Sequence, residues 1–307
     1  MKKIFLISLV LIFVLIGCTG DLNDEKVTKV DFGSVVEKPN GSFKGEISDV
    51  LKVAVSTMIS PKETFDYYEK LFQYLGERTG KKVVFKQRKT YKEVNQLIEN
   101  HKIDFAFVCS GAFVFDYKTI PMEILAVPFV KGEPYYQAYI IVHKDSPYKS
   151  FEDLKGASFA FTDPLSNSGY MYAVYRLNQM GTTPENFFSK TIFTYAHDYS
   201  IQAVAKKITE GATIDGLIYD YQEIDNPQVV ENIRVIEKSQ KFGIPPIVIH
   251  KEAPVDLKRE IRNILFSMHL DSTGKEILEG LHIDRFGPGD IHLYEGLKKI
   301  VESAQTQ

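Results

Sequence analysis

The sequence predicts an α/β protein of two lobes, and three observations carry that prediction. Short apolar runs alternate with helix-like stretches from residue 50 to residue 108, the cadence of a parallel sheet with crossover helices. The cadence restarts after the turn Lys144-Asp145-Ser146-Pro147. Two strand-like, mainly apolar runs, residues 135–143 and 246–250, stand where a chain would cross between lobes. The expected layout is lobe 1 from residues 47–142 and 245–307, with lobe 2, residues 143–244, inserted between them. Each lobe is expected to be a mainly parallel sheet with flanking helices, and the two crossing strands are the hinge of a cleft. At 307 residues the chain has room for two such units.

In chain order, Lys2 and Lys3 precede an apolar run over residues 4–16, too short to span a bilayer as a stable helix and right for the core of a signal peptide. The run ends Leu15-Ile16-Gly17-Cys18, which resembles the bacterial lipobox. That implies a lipoprotein signal peptide over residues 1–17, lipidation of Cys18, and an extracytoplasmic protein held on a cell membrane. Residues 18–46 are polar and mixed in charge, with Pro39-Asn40-Gly41-Ser42 near the end, and read as a flexible tether.

Residues 50–56 read as a buried strand. Ser60-Pro61-Lys62-Glu63 has the capping-box spacing with Pro at the first helical position, and the helix should run to Thr79 and stop at Gly80. Val83-Val84-Phe85 is the next strand, Thr90-Tyr91-Lys92-Glu93 repeats the capping box, and residues 103–108 form a third strand. Residues 124–130 are strand-like. In lobe 2 the expected order is strand 158–161, helix 168–181, strand 191–195, helix 198–209 and strand 214–219. Residues 234–236 follow, and after the second crossing come three helices ending near Ser303, with Arg285-Phe286-Gly287-Pro288-Gly289-Asp290 as a turn between helices.

Removing residues 1–17 takes away Lys2 and Lys3, leaving 35 basic against 40 acidic residues, a balance of −5. With no basic tract to follow a phosphate backbone, nucleic acid is excluded as a partner. Cys109 is then the only thiol not committed to lipid, so no intrachain disulfide forms. Within an apolar run it reads as a small buried hydrophobe. The seven His show no His-x-x-x-His spacing, and Cys-x-x-Cys, Gly-x-Ser-x-Gly and Gly-Lys-Ser/Thr motifs are missing. No metal, no cofactor and no catalytic residue is assigned. Asp215 and Asp220 lie near a strand end, where α/β folds place functional acids, but helix capping or solvation fits them equally.

The stretch Thr162-Asp163-Pro164-Leu165-Ser166-Asn167-Ser168-Gly169 follows a strand and precedes a helix. Two hydroxyls and an amide sit where a helix leaves its first N–H groups unpaired, an arrangement that binds phosphate-like groups without a cationic side chain. On spacing alone it is equally a helix start capped by Ser166.

Asp163-Pro164-Leu165-Ser166-Asn167-Ser168-Gly169 resembles the Asp-Pro-x-Ser-Thr-Ser-Gly loop of the phosphonate-binding components of ATP-driven importers. The resemblance extends over roughly residues 47–250 through Gly132-Glu133-Pro134-Tyr135-Tyr136, Val142-His143-Lys144-Asp145-Ser146-Pro147, Ala196-His197-Asp198 and Gln202-Ala203-Val204-Ala205. It implies a monomeric solute-binding protein of the type II periplasmic-binding-protein fold. Such a protein closes on a small phosphorus oxyanion (phosphate, phosphite or a simple alkylphosphonate) and delivers it to an ABC permease. It also implies ligand contacts from Tyr91, Tyr136, Ser166, Asn167, Ser168 and His197, the last with a raised pKa and a positive charge beside the anion. Asn167 stands where the family usually has Thr. Gln222 and Pro245 stand where aminoalkylphosphonate binders carry carboxylates, which implies a ligand without an amine, unless Asp220 or Glu223 substitutes. Two other classes share this fold: a sensory or adhesion lipoprotein with a different ligand or a protein partner, and an enzyme on the same scaffold.

Overall fold

The computed structural model describes residues 50–305. The signal peptide, Cys18 and the tether lie outside the described residues.

Lobe 1 begins with β1 (Val50–Val55), α1 (Pro61–Thr79), β2 (Lys82–Gln87), α2 (Tyr91–Glu99), β3 (Phe105–Phe107), α3 (Ser110–Asp116) and β4 (Met122–Phe129). Pro at its start and a left-handed Gly80 at its end delimit α1, as the sequence predicts. Both halves of the Thr90–Glu93 capping box form. At Ser60 the expected box does not form. Its side chain makes no capping bond, and its backbone N–H donates instead to Asp198 Oδ1 at 2.9 Å.

The chain then crosses to lobe 2: β5 (Tyr135–Tyr136), β6 (Ala138–His143), β7 (Ser158–Phe161), α4 (Tyr172–Gln179), α5 (Pro184–Phe187), β8 (Lys190–Phe193), α6 (His197–Ala205), β9 (Gly211–Asp215), α7 (Gly216–Asp225), α8 (Pro227–Val230) and β10 (Ile233–Lys238). It returns through β11 (Phe242–Gly243) to β12 (Ile247–His250), α9 (Val255–Ser267), α10 (Ser272–Gly280), β13 (Arg285–Gly287) and α11 (Glu295–Gln305).

Two sheets result, ordered β13-β4-β12-β3-β1-β2 and β10-β6-β9-β7-β8, joined by the two-stranded ribbon β11-β5. Lobe 1 is thus built from both ends of the described chain. Each sheet is mixed rather than mainly parallel. β1, β2 and β3 run parallel, as do β7, β8 and β9, but β6 and β12 enter antiparallel as the chain changes lobe.

The crossings are shorter than the apolar runs that predicted them. Gln137 breaks the run at 135–143, so β5 pairs with β11 across the hinge while β6 pairs with β9 and β10 inside lobe 2. The lobe boundary on that strand falls at 137 instead of 142. Two further expectations fail for local reasons. The strand expected over 214–219 stops at Asp215, whose side chain caps α7 by accepting from Leu217 N–H at 2.8 Å, so Leu217, Ile218 and Tyr219 are helical. The turn expected at 285–290 starts with β13, which pairs with β4.

The apolar core is continuous with this layout. Leu51, Val53, Leu71, Leu75, Phe105 and Ile261 pack in lobe 1, whereas Ile141, Ala160, Ile201, Val204 and Ile214 pack against the lobe 2 sheet. Cys109 is buried with Tyr91 and Ala112, and burial pushes its thiol up to about 11, which leaves it an unreactive packing residue.

Candidate functional site

The C-terminal ends of β1, β3, β7 and β9 all face the cleft, where α/β sheets present helix N-termini to ligands. The loop after β7 leads into a wide, π-type turn, Asn167–Met171, and then into α4. Turns of this kind recur at functional sites because they displace backbone groups from the ordinary ladder. Ser166 caps the turn: its Oγ accepts from Gly169 N–H at 3.0 Å. Gly169 is required by crowding. A Cβ there would lie 2.5 Å from the Thr162 side chain and 2.9 Å from His197 Cε1, so what approaches its backbone is protein. Across the cleft Gly111 of α3 does the same service, since a Cβ would meet Leu165 O and Asn167 N at 2.5 Å.

Asn167 Nδ2 donates to Tyr136 Oη at 2.9 Å, and that hydroxyl lies 2.7 Å from Ser110 Oγ. Ser168 is held by its backbone, its carbonyl accepting from the Thr213 hydroxyl, while its own Oγ has no partner. Tyr91, the first residue of α2, is fully buried with an unpartnered Oη; the Ser166 hydroxyl lies beside it, outside hydrogen-bond geometry. Burial holds the Tyr91 and Tyr136 hydroxyls well above the usual phenol range, so both remain protonated. Ser56, directly after β1, also has a buried Oγ without a partner. A buried hydroxyl left unpaired costs stability, so several of them at one cleft indicate donors awaiting an acceptor.

His197 opens α6 and is buried. Asp215 N–H donates to its Nδ1 at 3.0 Å, and the Thr162 hydroxyl lies 3.1 Å from the same nitrogen. A backbone N–H cannot accept, so Nδ1 carries no proton and the neutral ring holds its proton on Nε2. Burial pushes the imidazole down to about 3. Without ligand the ring is therefore neutral, whereas the resemblance implies a positive charge beside the bound anion: protonating Nδ1 would set two N–H groups against each other in a water-poor site.

Two carboxylates of lobe 2 fasten the lobes together. Asp163 accepts from Tyr91 N–H at 3.1 Å and from Leu165 N–H at 2.8 Å, and Asp198 accepts from Ser60 N–H. Each therefore sits at the N-terminus of a lobe 1 helix, where the helix dipole favours negative charge. His197 N–H adds a bond to Met58 O at 2.8 Å. Burial raises both carboxyls above their ordinary value.

Beside this cradle lies a cavity of about 90 Å³, whose lining includes Ser56, Tyr68, Asp215, Gln222, Ile244 and Pro245. The rest is mostly aliphatic, and no Lys or Arg is among the lining residues. Gln222 and Pro245 thus share one cavity. Asp220 instead pairs with Lys131 at 2.7 Å, and with Glu223 it lines a separate outer pocket.

The structure therefore gathers Tyr91, Tyr136, Ser166, Asn167, Ser168 and His197 in one place, but with unequal parts. Ser166 is committed to its cap and Tyr136 to Asn167 and Ser110. Ser56 and Asp215 are the groups that sequence reasoning did not assign to the ligand. Ser56 was detectable as the hydroxyl residue directly after the first strand, at the carboxyl end where ligands bind.

Residues 53–294 match the family described as "ABC transporter, phosphonate, periplasmic substrate-binding protein". The chain is 29% identical over 154 residues to the phosphonates-binding periplasmic protein of Escherichia coli, covering 49% of this chain and 45% of that one. It is 25% identical over 180 residues to a phosphate-import protein of Mycolicibacterium smegmatis, covering 55% and 56%. The chain spans about half the length of the curated relatives it matches. Among solved structures, the binding component of a phosphonate ABC transporter from Pseudomonas aeruginosa superposes with a TM-score of 0.79 at 23% identity, covering 84% of this chain and 87% of that one. A Prochlorococcus marinus protein in complex with methylphosphonate superposes at 0.76 with 16% identity, covering 84% and 99%. These superpositions establish the two-lobed periplasmic-binding fold.

Proposed function

The chain belongs to the family of periplasmic phosphonate-binding components of ABC transporters, and from that premise we propose that it binds a small phosphorus oxyanion for delivery to an ABC permease. Phosphate, phosphite and simple alkylphosphonates are the ligand class. The observation that carries this reading is the set of buried, unpartnered hydroxyls of Ser56, Tyr91 and Ser168 beside a neutral His197, next to a cavity that Ser56 and Asp215 line and that has no Lys or Arg among its described lining residues. Neutral donors suit an anion whose charge is spread over several oxygens: each donates one bond, and exclusion of water strengthens all of them.

In this reading Ser168 Oγ, Tyr91 Oη, Ser56 Oγ and His197 Nε2–H donate to the anion. Asn167 sets the width of the cradle. Rotated by half a turn about its last bond, its amide accepts from Tyr136 Oη and presents NH2 to the ligand at no change in shape. Ser166 and Tyr136 act by holding the turn and Asn167 in place. The chemistry is binding, consistent with a family of carriers. Cys18 supplies the lipid anchor on the extracytoplasmic face of a membrane, and the protein works as a monomer.

A thermal-shift screen tests the proposal. A ligand at a hundred times its dissociation constant adds about 2.7 kcal/mol to stability. Phosphate, phosphite or methylphosphonate should raise the melting temperature where chloride does not; no shift with any of the three would reject the reading.

A further inference from the structure

Among the described residues Asp215 is the one carboxylate that lines the cavity, and its surroundings place it at the oxyanion end. Its backbone N–H holds His197. Thr213, two residues earlier on β9 and so on the same face of the strand, bonds the carbonyl of Ser168 in the cradle. Its charge is felt at Tyr91, Cys109 and Tyr136, which line the cradle from lobe 1 and the hinge. The carboxylate caps α7, accepting from Leu217 N–H with Ile218 N–H also bonded to it. Capping alone gives the charge no purpose, because Asn caps a helix as well as Asp does.

A buried anion beside an anion site is repulsive unless a proton lies between them. The groups facing Asp215 supply no compensating cation. They are His197 from α6, Tyr91 from α2, Cys109 at the start of α3, Tyr136 from β5 and Asp220 from its own helix, with Tyr68 of α1 and Tyr221 and Gln222 of α7 around the same cavity. His197 is neutral, and Asp220 is itself acidic and paired outside with Lys131.

Resting on the phosphorus-oxyanion reading above, we propose that Asp215 accepts a hydrogen bond from a P–OH group of the ligand. Where Asp215 is ionised, the site then selects phosphorus oxyacids that carry one proton and disfavours sulfonates and sulfate, which are isosteric but have no proton to give. Complex formation places a single proton between two oxygens, one of the ligand and one of Asp215. In the free protein, burial pushes the Asp215 carboxyl up to about 7. Above that pH, and above the second ionisation of the ligand, both partners start ionised and the proton comes from solvent. Binding then takes up about one proton, and affinity falls about tenfold per pH unit.

Calorimetry at a pH above both ionisations, with methylphosphonate and methanesulfonate in buffers of different ionisation enthalpy, tests this on the parent and on Asp215→Asn, which preserves the cap. The expected result is uptake of one proton with methylphosphonate and no binding of methanesulfonate by the parent. The variant should take up none and gain measurable affinity for methanesulfonate. The proposal is overturned if the parent binds both anions alike, if it binds methylphosphonate without taking up a proton, or if Asp215→Asn still takes one up, which would put the proton on His197. A parent that binds no phosphorus oxyanion at all overturns the proposed function itself, and this inference with it.

Discussion

Replacing Ser168 by Ala separates ligand binding from folding more cleanly than any other change at the cradle. Ser168 Oγ is buried and makes no hydrogen bond within the protein, so its removal takes nothing from the fold and relieves an unpaired polar atom. Its partner in the proposed complex is a charged oxygen, and a hydrogen bond to a charged group contributes about 1.5–3 kcal/mol. At about 1.4 kcal/mol per factor of ten, affinity for methylphosphonate should fall about tenfold to a hundredfold. Ser166→Ala is the internal contrast. Ser166 Oγ accepts from Gly169 N–H, so that change should cost about 1 kcal/mol of stability through the lost cap and weaken binding only as the turn loosens. Titration calorimetry gives the affinities and denaturant unfolding gives the stabilities. If Ser168→Ala binds every oxyanion as the parent does, or loses as much stability as Ser166→Ala, the division of labour argued here is wrong.

The remaining predictions concern charge. Asp215 is raised from 3.8 to about 7 in the folded protein, so the folded state holds a proton that the unfolded state lacks between those values. That contribution to stability is present at low pH and is lost as pH rises toward 7, with a slope of up to about 1.4 kcal/mol per pH unit. Asp215→Asn should therefore gain on the parent as pH rises through this window; parallel stability curves would refute it. His197 has the opposite sign. Lowered from 6.5 to about 3, it destabilises the fold as pH falls below 6.5, and His197→Gln should lessen that acid sensitivity, as urea unfolding at a series of pH values would show. Replacing both Asp163 and Asp198 by Ala removes the two bonds from lobe 2 to the N-termini of α1 and α2. Small-angle scattering should then report a larger radius of gyration without ligand, and an unchanged radius would mean that other contacts hold the lobes. Finally, with Gln222 and Pro245 sharing the cavity, 2-aminoethylphosphonate should bind more weakly than methylphosphonate, and the reverse order by calorimetry would contradict the reading.

Legibility from the sequence followed the range of the forces involved. Helix ends set by local chemistry were readable: Pro61 and Gly80 bracket α1, and Thr90 with Glu93 closes a capping box. Ser60 misled because its backbone N–H is claimed by Asp198, 138 residues away. The same long-range logic hid the strand end at Asp215. Leu217, Ile218 and Tyr219 are as apolar as a strand, and only the cap at Asp215 turns them into a helix. At the site, the loop after β7 was visible by composition and family resemblance. His197 lies at this loop, and its neutral state without ligand could not be read from the sequence, since its protonation depends on an N–H delivered by β9. Ser56 and Asp215 carry no motif, and they matter through which strand ends the fold brings together.

Whether neutral donors hold a phosphorus oxyanion is decided by a crystal structure of the protein grown with methylphosphonate. The phosphonate oxygens should lie within hydrogen-bond distance of Ser168 Oγ, Tyr91 Oη, Ser56 Oγ and His197 Nε2, with one oxygen turned to Asp215. A ligand seated elsewhere, or neutralised by a Lys or Arg side chain, would contradict it.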